Sequence, residues 1–323
     1  MLASAGPVHD DRGAVQTVLL PLEVILQRAR GTIILGIDRS VWLFYLAHTA
    51  GPTFLYFCSP LHDRVQGALT LRQGLTGNHA YIAAVIACLA AQTALFVSLY
   101  RSDPGWVRPG YGWPGPPSGG ACAFCGARPP LRHRHDHNTG QCVAGFDHFC
   151  PLLATAIGDL NHARFWWYCV LESVLAGWGA LLAWPACRAC LFPASAAAAD
   201  WCRAHPWRTA AQFAVLAALL AALSAFKGLV VMHSYLAASN QTTYELCRGA
   251  KVPYLEPYYT GYSPPGVKLR GRPLLCLAAR VLRGQGPPAP FSRGLAFNLW
   301  VFFLARKPFA HVPAPPTSHL AQP

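Results

Sequence analysis

Four stretches of this chain are apolar enough to lie in a lipid bilayer, and they constrain its fold more than any other feature. They run 41–58 (VWLFYLAHTAGPTFLYFC, interrupted by Gly51 and Pro52), 80–100 (AYIAAVIACLAAQTALFVSLY), 165–185 (FWWYCVLESVLAGWGALLAWP) and 209–236, rich in Ala and Leu. A helix crossing a bilayer needs about 20 such residues. Only 12% of the 323 residues are charged, about half the share of a soluble domain. The fold expected is an all-α integral membrane protein with four transmembrane helices. Segment 14–36 is apolar but broken by Pro21, Glu23, Arg28 and Arg30. It reads as an interfacial helix, with a fifth span as the weaker option.

Orientation follows from where Lys and Arg collect, since basic residues favour cytoplasmic loops. Loops 59–79 and 195–208 hold two each, whereas residues 1–40 hold four, 101–164 six and the tail after 238 ten. Both termini and the 101–164 loop are therefore expected in the cytosol, on an endomembrane (Golgi or ER) or the plasma membrane. The same bias accounts for the net charge of +13, so no nucleic-acid partner is expected. The polar first 15 residues lack the pattern of a cleaved signal peptide, and the first membrane helix is expected to direct insertion. The expected divisions are 1–40, a cytosolic N-terminal segment; 41–100, the first two transmembrane helices; 101–164, a cytosolic cysteine-rich domain; 165–238, the third and fourth helices; and 239–323, a cytosolic tail. Residues 102–120, dense in Pro and Gly, read as a tether.

The chemistry concentrates in the 101–164 loop. Four of the twelve cysteines, Cys122, Cys125, Cys142 and Cys150, fall in one short stretch with His133, His135, His137 and His148. Cys122-x2-Cys125 is followed by His135 and Cys142. Two thiolates three residues apart can grip one side of a tetrahedral ion, and a second pair can close it; Cys3His is a normal structural zinc set. A cytosolic location keeps such thiols reduced. Asp147-His148-Phe149-Cys150-Pro151 follows. A cysteine needs a base or cation nearby to act as a nucleophile. His148 can take the proton of Cys150, and Asp147 can hold the imidazole in the required tautomer.

These residues resemble the DHHC protein S-acyltransferases, whose loop runs Cys-x2-Cys-x9-His and ends in Asp-His-His-Cys-Pro, Asn-Cys-Ile-Gly and Asn-x3-Phe. This sequence keeps that spacing without a gap through Cys122, Cys125, His135, Cys142, Asp147, His148, Cys150, Pro151, Ile157, Gly158, Asn161 and Phe165. Asp103-Pro104-Gly105 resembles a motif after the family's second span. Thr242-Thr243-x-Glu245 resembles its TTxE motif, and Phe291-x2-Gly294-x3-Asn298 resembles a tail motif that packs against the core. The resemblance implies a protein S-palmitoyltransferase with Cys150, His148 and Asp147 as catalytic residues. Thr242, Thr243, Glu245 and Asn298 would be supporting residues. The reaction would take a long-chain acyl-CoA such as palmitoyl-CoA and pass the acyl group through Cys150 to cytosolic cysteines of membrane-associated proteins.

The departures are systematic. Members of that family bind two zinc ions. The set corresponding to Cys122, Cys125, His135 and Cys142 is complete, but the second set falls on Asp136, Thr139, Phe149 and Ala156. One zinc is therefore expected, with packing by Phe149 and Ala156 in place of the other. Arg128, Arg132 and Arg134 are candidates for attracting the CoA phosphates, set against the ordinary positive-inside bias. Glu172 and Lys227, charges within spans, are expected to pair, unless Glu172 faces the acyl cavity or Lys227 snorkels to the interface. For Cys187, Cys190 and Cys202 a disulfide and buried thiols stay equally open. A second reading is a catalytically silent membrane scaffold with a zinc-stabilised loop; a transporter is disfavoured by the few polar residues in the spans.

Overall fold

A computed structural model describes residues 8–9, 15–16, 83–84, 86–107, 120–259 and 289–305. The expected first span, 41–58, lies outside the described residues. Val8–His9 (β1) and Val15–Gln16 (β2) pair antiparallel. Residues 15–16 are thus in a strand, not in the interfacial helix expected over 14–36; the remainder of that segment is outside the described residues.

Among the described residues, two helices are long and apolar enough to cross a membrane: α2, His162–Leu191, and α4, Pro206–Ser239, with a shorter apolar helix α1 at Ile86–Tyr100. At 1.5 Å per residue, 30 residues reach about 45 Å, longer than the hydrocarbon core. The helices begin three residues earlier than the apolar pattern because polar ends extend them. Pro206 stands in the first turn of α4, where its missing N–H costs nothing, and Asn240 ends it in a left-handed conformation, φ 52°. Between them lies α3, Ala196–Ala204.

The pair α2 and α4 runs antiparallel. Trp166 Nε1 donates to Ser234 Oγ at 2.9 Å near one end. Farther along, Leu223 and Leu219 lie over Gly177 and Gly179, where a Cβ on Gly179 would come within 3.1 Å of Leu219. Small residues let membrane helices approach closely. At the far end Cys190 and Cys202 form a disulfide, while Cys187 is a buried thiol. Both alternatives for these three cysteines are thus realised.

Glu172 and Lys227 do not pair. Glu172 is buried, Lys227 is exposed, and no ion pair joins them. An exposed Lys227 is the placement that snorkelling to the interface requires.

The cysteine-rich segment is a set of short strands. Trp106–Val107 (β3), Gln141–Ala144 (β5) and His133–Asp136 (β4) form a sheet in the order β3-β5-β4. His148–Cys150 (β6) and Thr155–Ile157 (β7) form a second, antiparallel pair. Residues 103–107, within the tether expected over 102–120, are thus ordered by their own chemistry; residues 108–119 lie outside the described residues. Asp103 Oδ1 accepts from the N–H groups of Gly105 (2.7 Å) and Trp106 (2.8 Å), a turn in which the carboxylate stands in for a backbone acceptor. Gly158 has no room for a side chain: a Cβ there would lie 2.5 Å from the Pro104 carbonyl oxygen and 2.6 Å from Val143 Cγ1. Asn161 locks the same junction, accepting from Gly158 N at 2.9 Å and donating to Ala156 O at 3.0 Å and Ser102 Oγ at 2.8 Å.

After α4 come α5, Thr243–Arg248, a 3-10 turn, Gly249–Lys251, and the short helix α6, Glu256–Tyr259. Helix α7, Leu295–Trp300, continues as a π-helical turn through Ala305 and packs Val301 and Phe302 on Ala237 of α4.

Candidate active site and metal centre

The metal-ligating group grows from two local structures. In the Cys122–Ala127 turn, Gly126 N–H donates to Cys122 O and Cys122 N–H to Ala127 O, both at 2.8 Å, which turns both thiols the same way. In the β4–β5 hairpin, His135 and Cys142 are direct register partners. Cys125 Sγ lies 3.5 Å from Cys142 Sγ, and His135 Nδ1 lies 3.7 Å from Cys122 Sγ and 3.9 Å from Cys142 Sγ. The edge of a zinc tetrahedron with bonds of about 2.0–2.3 Å measures roughly 3.3–3.8 Å. All four ligand atoms lie within 4.8 Å of one another, so the residues fit a zinc ion. Burial among its neighbours, then the adjacent Cys122 and Cys125 thiols, pushes the Cys142 thiol up. A divalent cation removes that obstacle by binding the thiolates.

At the four positions that would hold a second ion, other contacts stand. Asp136 Oδ2 accepts from Thr139 Oγ1 at 2.7 Å, and Asp136 Oδ1 accepts from Asn138 Nδ2 at 3.1 Å. Phe149 and Ala156 are cross-strand partners in β6–β7, and Ala156 is fully buried. A hydrogen-bonded turn and an apolar pair occupy that ground, and among the described residues no metal-ligating group lies there.

Strand β6 explains how the signature is displayed. Alternate residues of a strand share a face, so His148 and Cys150 point one way and Phe149 the other. His148 Nδ1 is 2.7 Å from Asp147 Oδ2, and Cys150 stands beside the imidazole. Burial opposes a proton on His148, but the Asp147 and Cys150 hydrogen bonds and charges outweigh it, raising its pKa to about 10. A protonated imidazole beside a thiol is the environment that activates it. Burial likewise opposes the charge of Asp147, yet His162, the His148 hydrogen bond and His233 hold its carboxyl well below the usual range.

Asp147 is fixed from the other side by α5. Thr243 N–H donates to Asp147 Oδ1 at 2.6 Å and Thr243 Oγ1 to Oδ2 at 2.9 Å. Thr242 caps the same helix in a reciprocal box with Glu245. Glu245 then grips Arg132 with two bonds, Nε to Oε1 at 2.7 Å and Nη2 to Oε2 at 2.6 Å, and accepts from Tyr254 Oη at 3.0 Å. Arg132 also donates to Asn240 Oδ1 at 2.9 Å and stacks on Phe291, 4.4 Å from its centroid. Asn298 ties in the tail, donating to Ala238 O at 2.7 Å and Ser292 Oγ at 2.9 Å.

One of the three arginines is thus placed differently from expectation. Arg132 is only 2% exposed and saturated by Glu245 and Asn240, so it serves the fold and is unavailable to CoA phosphates. Arg134 lies over Tyr244 at 4.5 Å, whereas Arg128 is exposed. The sequence reading also passed over Asn240, Tyr254, His162 and His233. Of these only His233 carried a signal, an ionisable side chain inside an apolar span.

Replacing Thr243 by Val removes one of the hydrogen bonds to the charged Asp147 and leaves the backbone bond. Loading of Cys150 in a single-turnover assay is expected to slow by about tenfold, and Thr243→Ser to restore it.

The family model described as DHHC palmitoyltransferase matches residues 117–250. Protein S-acyltransferase 10 of Arabidopsis thaliana is 35% identical over 134 residues, 42% of this chain and 36% of the relative's own length. Palmitoyltransferase ZDHHC12 of Homo sapiens is 31% identical over 187 residues, 56% of this chain and 54% of the relative. Palmitoyltransferase Hip14 of Drosophila melanogaster is 29% identical over 96 residues, 26% of this chain and 15% of the relative. The matched segments thus span about half or less of these relatives' lengths.

Proposed function

We propose, from the match of residues 117–250 to the DHHC palmitoyltransferase family, that this chain is a member of that family and a protein S-palmitoyltransferase. The observation that carries the proposal is the seat of Cys150. Its thiol side chain, 7% exposed, touches His148 on one side and on the other joins an apolar cluster of Phe96, Leu99, Leu153, Phe165, Tyr168 and Phe226. The nucleophile stands where α1, α2 and α4 meet, so a thioester can reach the sulfur while its chain lies among apolar side chains.

Cys150 and His148 rest as a thiolate–imidazolium pair, the thiol proton held on the imidazole, and the thiolate attacks the carbonyl carbon of a long-chain acyl-CoA. The bond to the CoA sulfur breaks, and the CoA thiolate takes the proton from His148. In the second step the thiol of a membrane-associated protein's cysteine gives its proton to His148 and attacks the acyl-Cys150 thioester, releasing Cys150. One thioester replaces another, so the residues have only to position groups and move a proton. Asp147, held by Thr243, keeps the His148 proton on the required nitrogen. A fatty chain gains about 0.8 kcal/mol per buried CH2, so the length of the apolar cluster can select the acyl chain.

Cys122, Cys125, His135 and Cys142 would hold one zinc ion, whose chemistry is structural, clamping the turn to the hairpin. The proposed topology is four spans with the cysteine-rich domain and both termini in the cytosol. The cysteines support it: the reduced quartet and the Cys190–Cys202 disulfide lie at opposite ends of α2, as a reducing and an oxidising compartment across a membrane require.

Acyl-CoA added to the purified chain without a protein acceptor is expected to release a burst of one CoA per chain, then slow turnover. Cys150→Ser should show no burst. A burst that survives in Cys150→Ser would refute the assignment of the nucleophile, and a folded wild-type protein with no burst would favour the silent scaffold.

A further inference from the structure

Asp147 has a second set of neighbours, which the proposed acyl-transfer chemistry does not use. His162 is the first residue of α2 and His233 lies in the last third of α4; both are buried, at 1% and 0% exposure. His162 Nε2 and His233 Nδ1 are 2.8 Å apart, a hydrogen bond between two imidazoles. These same two nitrogens face the carboxylate, His162 Nε2 at 3.7 Å from Asp147 Oδ1 and His233 Nδ1 at 4.0 Å from Oδ2. The opposite nitrogens, His162 Nδ1 and His233 Nε2, have no hydrogen-bond partner among the described residues. Every polar contact of the pair is therefore directed at itself and at Asp147. The Phe165 ring packs edge-on against His233, and the His148 ring lies tilted beside it.

We propose that His162 and His233 are positioning residues for Asp147, a shared-proton imidazole pair that clamps the carboxylate from the membrane side as Thr243 clamps it from the tail side. The inference rests on the reading of Cys150 and His148 as the reacting pair. A buried carboxylate is costly unless every side of it meets a donor or a positive dipole. Thr243 and His148 supply three hydrogen bonds, and the N–H shared by the two imidazoles supplies the positive edge over the remaining face. The pair also ties the site to the membrane: His162 and His233 belong to the two long helices, so Asp147 keeps its place only while α2 and α4 stay packed. A metal ion on Asp147, His162 and His233, whose ligand atoms are close enough for one, is the less favoured occupant. Metal-bound imidazoles almost always donate their other N–H to a second partner, and here those atoms have none.

The titratable groups around this carboxylate are His148 and Cys150 from β6, His162 from α2, His233 from α4 and Cys247 from α5, with the Arg132 guanidinium behind them. Loosening Asp147 should act on Cys150 through His148 alone. The test uses the full chain purified in detergent and measures alkylation of Cys150 by iodoacetamide at pH 7 and pH 9, read by mass spectrometry, with zinc content and thermal unfolding as controls. His162→Leu and His233→Leu are expected to slow alkylation at pH 7 by about tenfold, the scale of a small misplacement at a reacting centre, and to leave the rate at pH 9 nearly unchanged. His162→Gln places an amide where Nε2 stood, and His233→Asn places one where Nδ1 stood, so both should recover most of the loss. The mismatched isosteres His162→Asn and His233→Gln should not. Matched and mismatched isosteres behaving alike, Leu variants that alkylate as wild type, or loss of a metal ion from each variant would overturn the proposal. Acyl loading measured in parallel separates the two readings: an unloaded wild type with the alkylation pattern intact would refute the acyltransferase and leave the positioning pair standing.

Discussion

Removal of the metal from Cys122, Cys125, His135 and Cys142 is expected to unfold the strands from residue 120 to 160 and to leave α2 and α4 in place. The apolar material around the ligands is slight. Val107, Ala127, Cys142 and Ala144 are its buried members, and Cys122 and Cys125 are themselves part of the cluster. Strands of two to four residues cannot hold a sheet on such a core. A structural zinc site contributes on the order of 10 kcal/mol or more at neutral pH, far above the usual stability of a small domain. A strong chelator, or Cys142→Ser, should therefore make residues 120–160 susceptible to protease. Helical circular dichroism should fall little, because α2 and α4 lie outside the segment that unfolds and pack on each other. Retention of protease resistance after the metal is shown to be gone would mean that packing suffices.

The second large effect concerns the buried pair of Arg132 and Glu245. Both side chains are 2% exposed, and two short hydrogen bonds join guanidinium to carboxylate. Taking away one partner leaves a buried, uncompensated charge, at a cost of about 3–5 kcal/mol. Arg132→Leu also empties the ring face of Phe291 and leaves Asn240 without its donor, so residues 289–305 should detach. Glu245→Leu opens the cap of α5, and Thr243 then no longer holds Asp147. Both variants should melt earlier, expose the tail to protease and load Cys150 slowly. Lys is not a substitute for Arg132, since it lacks the planar fork that makes two bonds at once. The double variant Arg132→Met with Glu245→Leu should be more stable than either single variant, because an apolar pair carries no desolvation penalty. Single variants within about 1 kcal/mol of wild type would show that the pair is not the brace described here.

What could be read in the sequence was what is encoded locally. Metal-ligand spacing is local: a two-residue gap sets one turn, and a hairpin sets His135 against Cys142. The apolar runs gave α2 and α4 within a few residues, since hydrophobic length is measured along the chain. The Asp147-His148-x-Cys150 display follows from strand alternation. What could not be read joins distant parts of the chain. Arg132 and Glu245 are 113 residues apart, and nothing near Arg132 distinguishes it from a solvated loop arginine. Glu172 and Lys227 lie in adjacent helices, but helix rotation decides whether two charges meet, and all-round apolar helices give no phase. The pairing of Cys190 with Cys202 and not Cys187 depends likewise on which face of α2 turns toward α3. His162 and His233 become meaningful only once two helices bring them to 2.8 Å.

The measurement that tests the central claim most directly is the intact mass of the purified chain after incubation with palmitoyl-CoA, with zinc counted in the same sample. A chain carrying one zinc and one hydroxylamine-labile acyl group, mapped to Cys150 and absent from Cys150→Ser, is the result expected of a single-zinc acyltransferase. A folded chain that holds its zinc but gains no acyl mass, or gains it at another cysteine, would contradict it.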